Sequence, residues 1–171
     1  AKHVILATGS RPRQMGFMAI DGKKVISSRE ALVLREMPES MVVVGSGAIG
    51  CEFAYFYAAL GVKVTIIEYL PQLLPVADAE ISKTLERNFR KMKMTVMTST
   101  VGEGVNINSE GKCEVAIEGK KGKETITADI VLSAVGVKSN LETLNLEEAG
   151  IQPERDKIPV DEFYRTAEEG I

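Results

Sequence analysis

Three glycines carry the strongest chemical signal in this sequence. Gly45-Ser46-Gly47-Ala48-Ile49-Gly50 follows an apolar run, Met41-Val42-Val43-Val44, and opens a segment rich in Ala, Phe and Tyr. A turn of this spacing, between a strand and a helix, suits a pyrophosphate. Gly45 permits the tight exit from the strand. Gly47 has no Cβ, so an anion can approach the backbone. Gly50 lets the helix pack closely on the sheet. The free N–H groups and positive dipole end of that helix then face the anion. Glu68 lies 23 residues beyond Gly45, at the end of the next apolar run. A carboxylate there can accept both hydroxyls of an adenine ribose and repels a 2′-phosphate. Tyr69, Leu70, Pro71 and Gln72 follow, and the next basic residue is Lys83. The combination points to NAD(H) rather than NADP(H).

Other reactive side chains offer less. Cys51 directly follows Gly50, where a helix N-terminus can lower a thiol pKa. The plainer reading is a small residue packing on the sheet. Glu52, two residues past Gly50, is expected in the first turn of the helix, where the dipole favours an acid. Cys113 reads as a strand residue. His3, the only histidine, stands by the chain start with no nucleophile or carboxylate in view. Two distant cysteines make neither a disulfide framework nor a metal site. No catalytic residue and no metal ligand is therefore assigned.

The positioning elements follow from periodicity and punctuation. Val4-Ile5-Leu6-Ala7 reads as a strand ended by Thr8-Gly9-Ser10 and Pro12. Val25-Ile26 is a short extended piece. Ser27 and Glu30 form a capping box that predicts a helix from Ser28 to about Arg35, before Pro38. A strand at 41–44, a helix from Cys51 to Leu60 closed by Gly61, and a strand at 62–67 make a βαβ unit. The helix is apolar nearly all round, so it is expected to be sandwiched. Asp78 caps a third helix, with Glu80 in its first turn and Ile81, Leu85, Phe89 and Met92 on one face. Lys83, Arg87, Arg90 and Lys91 lie off that stripe as a solvated face. Residues 94–97 are extended, and stretches at 101–107, 113–117 and 124–127, parted by Asn108–Gly111 and Gly119–Gly122, predict an antiparallel three-stranded β-meander. Residues 130–134 return to the parallel sheet, and Leu141–Ala149 is a helical or turn segment closed by Gly150. The fold class expected is α/β, a Rossmann-like parallel sheet with crossover helices and an appended meander.

The whole chain agrees with this class. Its 171 residues suffice for one domain, 44% are hydrophobic and 26% charged, and the net charge is −3. That charge gives no reason to expect nucleic acid or a membrane surface as partner. No apolar run approaches the ~18 residues that span a bilayer, and no signal peptide is visible. Both ends read as cut, which suggests a piece of something longer.

Gly45-Ser46-Gly47-Ala48-Ile49-Gly50-Cys51-Glu52 resembles the NAD fingerprint of the flavin- and disulfide-dependent pyridine nucleotide oxidoreductases. Ala7-Thr8-Gly9-Ser10 is similar to the turn that touches flavin nucleotide in that family. Leu73-Leu74-Pro75, with Asp78 and Glu80, resembles the stretch after the acidic strand in its dihydrolipoamide dehydrogenase branch. Ser133-Ala134-Val135-Gly136 resembles the strand end facing the nicotinamide half. Val160-Asp161 and Arg165-Thr166 resemble the run into the second FAD motif. The resemblance covers essentially the whole chain in the family's order. One departure is Val137-Lys138-Ser139-Asn140, where the family shows Arg and Pro before Asn.

The resemblance implies the roles. Residues 1–171 correspond to the NAD-binding domain of a larger flavoenzyme, with 1–35 and 155–171 approaching an FAD domain outside the chain. Gly45, Ser46, Gly47, Ala48, Ile49, Gly50, Cys51 and Glu52 hold the pyrophosphate and nicotinamide side of NAD. Glu68 holds the adenine ribose, Val101 contacts adenine and Gly136 the nicotinamide side. Thr8, Gly9 and Ser10 touch FAD. Glu52 matches a carboxylate that pairs with a Lys beside the flavin. The intact protein is expected to pass electrons from a dithiol through a cysteine pair and FAD to NAD+, as a homodimer within a 2-oxo acid dehydrogenase complex. Its expected compartment is the bacterial cytoplasm or the mitochondrial matrix. This fragment alone is not expected to be active. The alternatives are the NAD domain of another flavoprotein reductase, such as an NADH oxidase or a ferredoxin or rubredoxin reductase, and a non-catalytic NAD-sensing module.

Overall fold

The computed structural model describes residues 1–171. In chain order the elements are β1 (Ser10–Pro12), β2 (Val25–Ile26), α1 (Ser28–Ala31), β3 (Ser40–Val44), α2 (Ala48–Ala59), β4 (Lys63–Ile67), α3 (Ala79–Lys91), β5 (Thr95–Met97), β6 (Val101–Ile107), β7 (Cys113–Gly119), β8 (Gly122–Ala128), β9 (Ile130–Ser133) and β10 (Val137–Ser139). They fall into two units, residues 14–136 and residues 1–13 with 137–171.

The larger unit is built on a five-stranded parallel sheet of order β2-β9-β3-β4-β5. From β3 the chain moves one way, through α2 to β4 and through α3 to β5. It then returns to lay β9 on the other side of β3. Strand order reverses there, the point at which open α/β sheets bind ligands, outside the carboxyl ends of the strands. Alternate residues of each strand face opposite layers. Met41, Val43, Ile66 and Leu132 pack with Ala54, Tyr57 and Phe89 of the helices. Val42, Val44, Ile67 and Val131 pack with Val115, Ile117 and Ala128 of the antiparallel sheet β6-β7-β8. The expected α/β sheet and three-stranded meander are both present, as layers on opposite faces.

Four expected boundaries or faces are corrected. α2 starts at Ala48 instead of Cys51, because Gly47 adopts the extended backbone of an N-cap (φ −65, ψ −176) and the chain is helical from the next residue. Glu52 therefore lies in the second turn rather than the first. α2 does end as expected: Gly61 takes φ +92, Val62 N–H donates to Tyr57 O, and Gly61 N–H to Ala58 O, a Schellman turn. This helix is not sandwiched. Gly50, Cys51, Ala54 and Tyr57 face inward, while Tyr55, Phe56 and Leu60 are half exposed, because the second layer needed to cover them is not supplied by the chain. α1 forms its capping box but stops at Ala31 instead of Arg35; Leu32 and Val33 find no surface to pack on and stay exposed. In α3, Ser82 is buried and Ile81 exposed. At 100° per residue the two lie about 50° either side of the Leu85-Phe89-Met92 row, so periodicity could not choose between them.

The smaller unit pairs β1 antiparallel with β10, Pro12 opposite Val137. Its expected strand at Val4–Ala7 is not formed. No neighbouring strand offers it a ladder, Ile5 is 91% exposed, and Val4 N–H instead donates to Gly170 O at 2.8 Å. The segment 141–150 runs as successive turns around buried Leu146 and Ile151, and Gly150 closes it at φ +77.

Candidate functional site

The glycine turn sits at the strand-order reversal. Gly45 N–H donates to Ile67 O at 2.8 Å, and its φ of +98 turns the chain out of β3. A Cβ at Gly45 would lie 2.5 Å from Ala134 O, so the exits of β3 and β9 touch there. A Cβ at Gly50 would collide with Gly45 O and press on the Ala134 methyl at 3.2 Å. A Cβ at Gly47 would meet nothing within 4 Å. The turn is thus closed at Gly45 and Gly50 and open at Gly47. Ala48 and Ile49 are exposed, and no side chain caps α2, so its first amides are left for an external acceptor. A cradle open on one side, with uncapped amides, fits a pyrophosphate. Gly136, exposed at φ +97, lies three residues past β9, whose exit touches Gly45.

Glu68 follows β4 and is only 4% exposed. Its Oε2 accepts from Ser46 N–H at 2.8 Å and from Ser46 Oγ–H at 2.7 Å, and its Oε1 accepts from Leu70 N–H at 2.9 Å. The backbone is held too: Glu68 N–H donates to Met97 O, and Thr100 N–H to Glu68 O, both at 2.9 Å. The acid thus belongs to the glycine loop as much as to the strand. Val101, half exposed at the start of β6, is the next residue after Thr100.

The remaining residues divide clearly. Cys51 is buried, donates to Ser46 O at 3.3 Å, and burial pushes its thiol up to about 11. This agrees with the plainer reading of a small residue packed on the sheet, with desolvation outweighing the helix terminus. Glu52 is exposed on the outer face of α2 with Tyr55 and Phe56. Thr8, Gly9 and Ser10 are exposed in the smaller unit, where Asn140 braces them: Thr8 Oγ1 donates to Asn140 O at 2.8 Å, Asn140 Nδ2 to Thr8 O at 3.0 Å, and Asn140 N–H to Gly9 O at 3.0 Å.

Sequence reasoning missed two parts of this arrangement. Asn140 as the brace of 8–10 pairs residues 132 positions apart, which no local pattern reveals. Ser46 as the partner of Glu68 had one available signal: a hydroxyl at the single non-glycine position between Gly45 and Gly47.

Residues 1–171 match the pyridine nucleotide-disulphide oxidoreductase family. The chain is 46% identical to the dihydrolipoyl dehydrogenase of Chlorobaculum parvum over its whole length, covering 36% of that protein. It is 38% identical to the dihydrolipoyl dehydrogenase of Bacillus subtilis, over 99% of the chain and 36% of that protein. It superposes on the crystal structure of LpdA from Mycobacterium tuberculosis with a TM-score of 0.84 at 30% identity, covering 95% of this chain and 35% of that one. The HOCl-induced flavoprotein disulfide reductase RclA from Escherichia coli gives 0.77 at 28% identity, covering 95% of this chain and 37% of that one. The chain spans about a third of the length of the curated relatives it matches.

Proposed function

The chain belongs to the pyridine nucleotide-disulphide oxidoreductase family, and from that premise we propose that it is the NAD(H)-binding part of an FAD-dependent dihydrolipoyl dehydrogenase. The observation that carries the reading is the cradle at the strand-order reversal, open at Gly47 and joined to the buried Glu68. Gly45 to Glu52 hold the pyrophosphate and nicotinamide side, Glu68 the adenine ribose, and Val101 and Gly136 the two ends. Bound NAD+ supplies the hydride acceptor. The chain supplies position and electrostatics: amides of α2 for the phosphates, a fixed negative charge at the ribose, and an open loop after β9 for the nicotinamide half. Thr8, Gly9 and Ser10 contact FAD, which the rest of the intact homodimeric protein holds with its redox cysteine pair.

Glu52 belongs to this reading. Its place in the second turn weakens a purely helix-dipole role, since that effect fades within the first turn. Its exposure leaves it available to pair with a Lys beside the flavin.

Glu68 should make NADH bind better than NADPH by on the order of 1–3 kcal/mol, roughly 10- to 150-fold. Calorimetric titration of both nucleotides tests this, and equal affinities would remove the ribose role. The likeness to RclA favours a second reading, another flavoprotein disulfide reductase. Lipoamide turnover by the intact protein separates the two.

A further inference from the structure

We infer that Ser46 is a specificity-determining residue that makes this site reject a 2′-phosphate, by preventing the Glu68 carboxylate from swinging away from it. The inference rests on the NAD(H)-binding reading above.

Charge repulsion discriminates between nucleotides only if the charge cannot move. A carboxylate on a flexible strand end can rotate about its side-chain bonds and let a phosphate in at small cost. Glu68 has no such freedom. Ser46 gives Oε2 two donors, its amide at 2.8 Å and its hydroxyl at 2.7 Å, and Leu70 N–H holds Oε1 at 2.9 Å. Ser46 itself is fully buried and is fixed through its carbonyl, which accepts from Leu74 N–H at 2.9 Å and from the Cys51 thiol at 3.3 Å. None of the chain's ion pairs involves Glu68, so these hydrogen bonds are what anchors the charge.

The same bonds set what Glu68 can offer a ribose. A carboxylate oxygen has about two acceptor sites. Ser46 fills both on Oε2, and Leu70 fills one on Oε1. One acceptor position therefore remains for a ribose hydroxyl, where the sequence suggested two. Attraction for NAD(H) at this point is modest, and selectivity depends mainly on the immobile charge.

The Ser46 hydroxyl is the only one of the three donors that a side-chain substitution removes. Ser46→Ala leaves both amides in place and takes out one oxygen atom from a packed position. The expected result is a loss of discrimination. By calorimetry on the 171-residue chain, the NADPH-to-NADH dissociation-constant ratio should fall about tenfold; the ratio is read rather than either constant alone, because Ser46 also belongs to the pyrophosphate cradle and its loss can weaken both nucleotides. Ser46→Cys keeps a donor at this position, though a weaker one on a larger atom, so its ratio should fall between the two, and it stands in if the alanine variant does not fold. Glu68→Gln serves as the control for the underlying reading and should collapse the ratio. A Ser46→Ala chain whose ratio is unchanged, or whose two constants rise by the same factor, overturns the role of Ser46 while leaving Glu68 intact. A wild-type chain without NADH preference, with Glu68→Gln showing no effect, overturns the ribose reading and this inference with it.

Discussion

At the scale of single residues, the three glycines differ in what they tolerate. Gly50 has no room for a Cβ, whereas Gly47 faces open space in an extended conformation that alanine can adopt. Gly50→Ala should cost roughly 3 kcal/mol by overpacking the helix against the loop. Gly47→Ala should cost under about 1 kcal/mol, as an N-cap change, yet weaken NADH binding about tenfold by filling the space a phosphate needs. Thermal unfolding and nucleotide titration of both variants check the contrast; similar melting losses for the two would contradict it. The sequence revealed these positions well, because a glycine turn between strand and helix is a local pattern with a local cause. It revealed the setting of Glu68 less well. The acid was legible as a strand-end carboxylate, but its burial and its bond to Ser46 arise from two chain segments meeting. For Cys51 the plainer reading, a small residue packed on the sheet, agrees with its burial; its desolvation was not itself visible in the sequence.

At the scale of elements, strands were legible where apolar runs had partners and misleading where they did not. Residues 41–44, 63–67 and 130–133 all pair, but 4–7, equally apolar, do not. One side chain ties three of the paired elements together. The Asp129 carboxylate, just before β9, accepts from Lys112 Nζ at 2.7 Å, ahead of β7, and from Ser40 N–H at 2.8 Å and Oγ–H at 2.9 Å, at the start of β3. The Lys112 ammonium first, and Ser40 after it, hold this carboxyl down at about 2, below its ordinary 3.8. A depressed folded-state value stabilises the fold above about pH 4 and loses that contribution as pH falls toward 2. Asp129→Asn should therefore cost roughly 1–2 kcal/mol at pH 7, a figure held down by the partial exposure of Lys112. Urea unfolding at pH 7 and at pH 2.5 checks this: the gap between variant and wild type should narrow at the lower pH. A gap of constant size would remove the ionic part of the argument.

At the scale of the whole molecule, the outer face of α2 presents Ile49, Tyr55, Phe56 and Leu60 around a single acid, Glu52. Together they form an exposed apolar stripe along the helix; the chain spans about a third of the length of its relatives. On the proposed reading, the flavin contacts within this chain are Thr8, Gly9 and Ser10. The purified 171-residue protein should accordingly be colourless and turn over no lipoamide; a flavin absorbance band would mean that the flavin site is held by other residues of this chain. No helix is long and apolar enough to cross a membrane. The pairing of β1 with β10 has a separate consequence. Pro12 and Val137 are ladder partners, so their Cα atoms stand about 5 Å apart. The polypeptide leaves for the larger unit and comes back from it at almost the same point in space. Residues 13–136 are thus spliced into their host like a cassette: an exchange of that stretch for another, in evolution or by engineering, asks the surrounding chain only to bridge a gap the width of one strand pair.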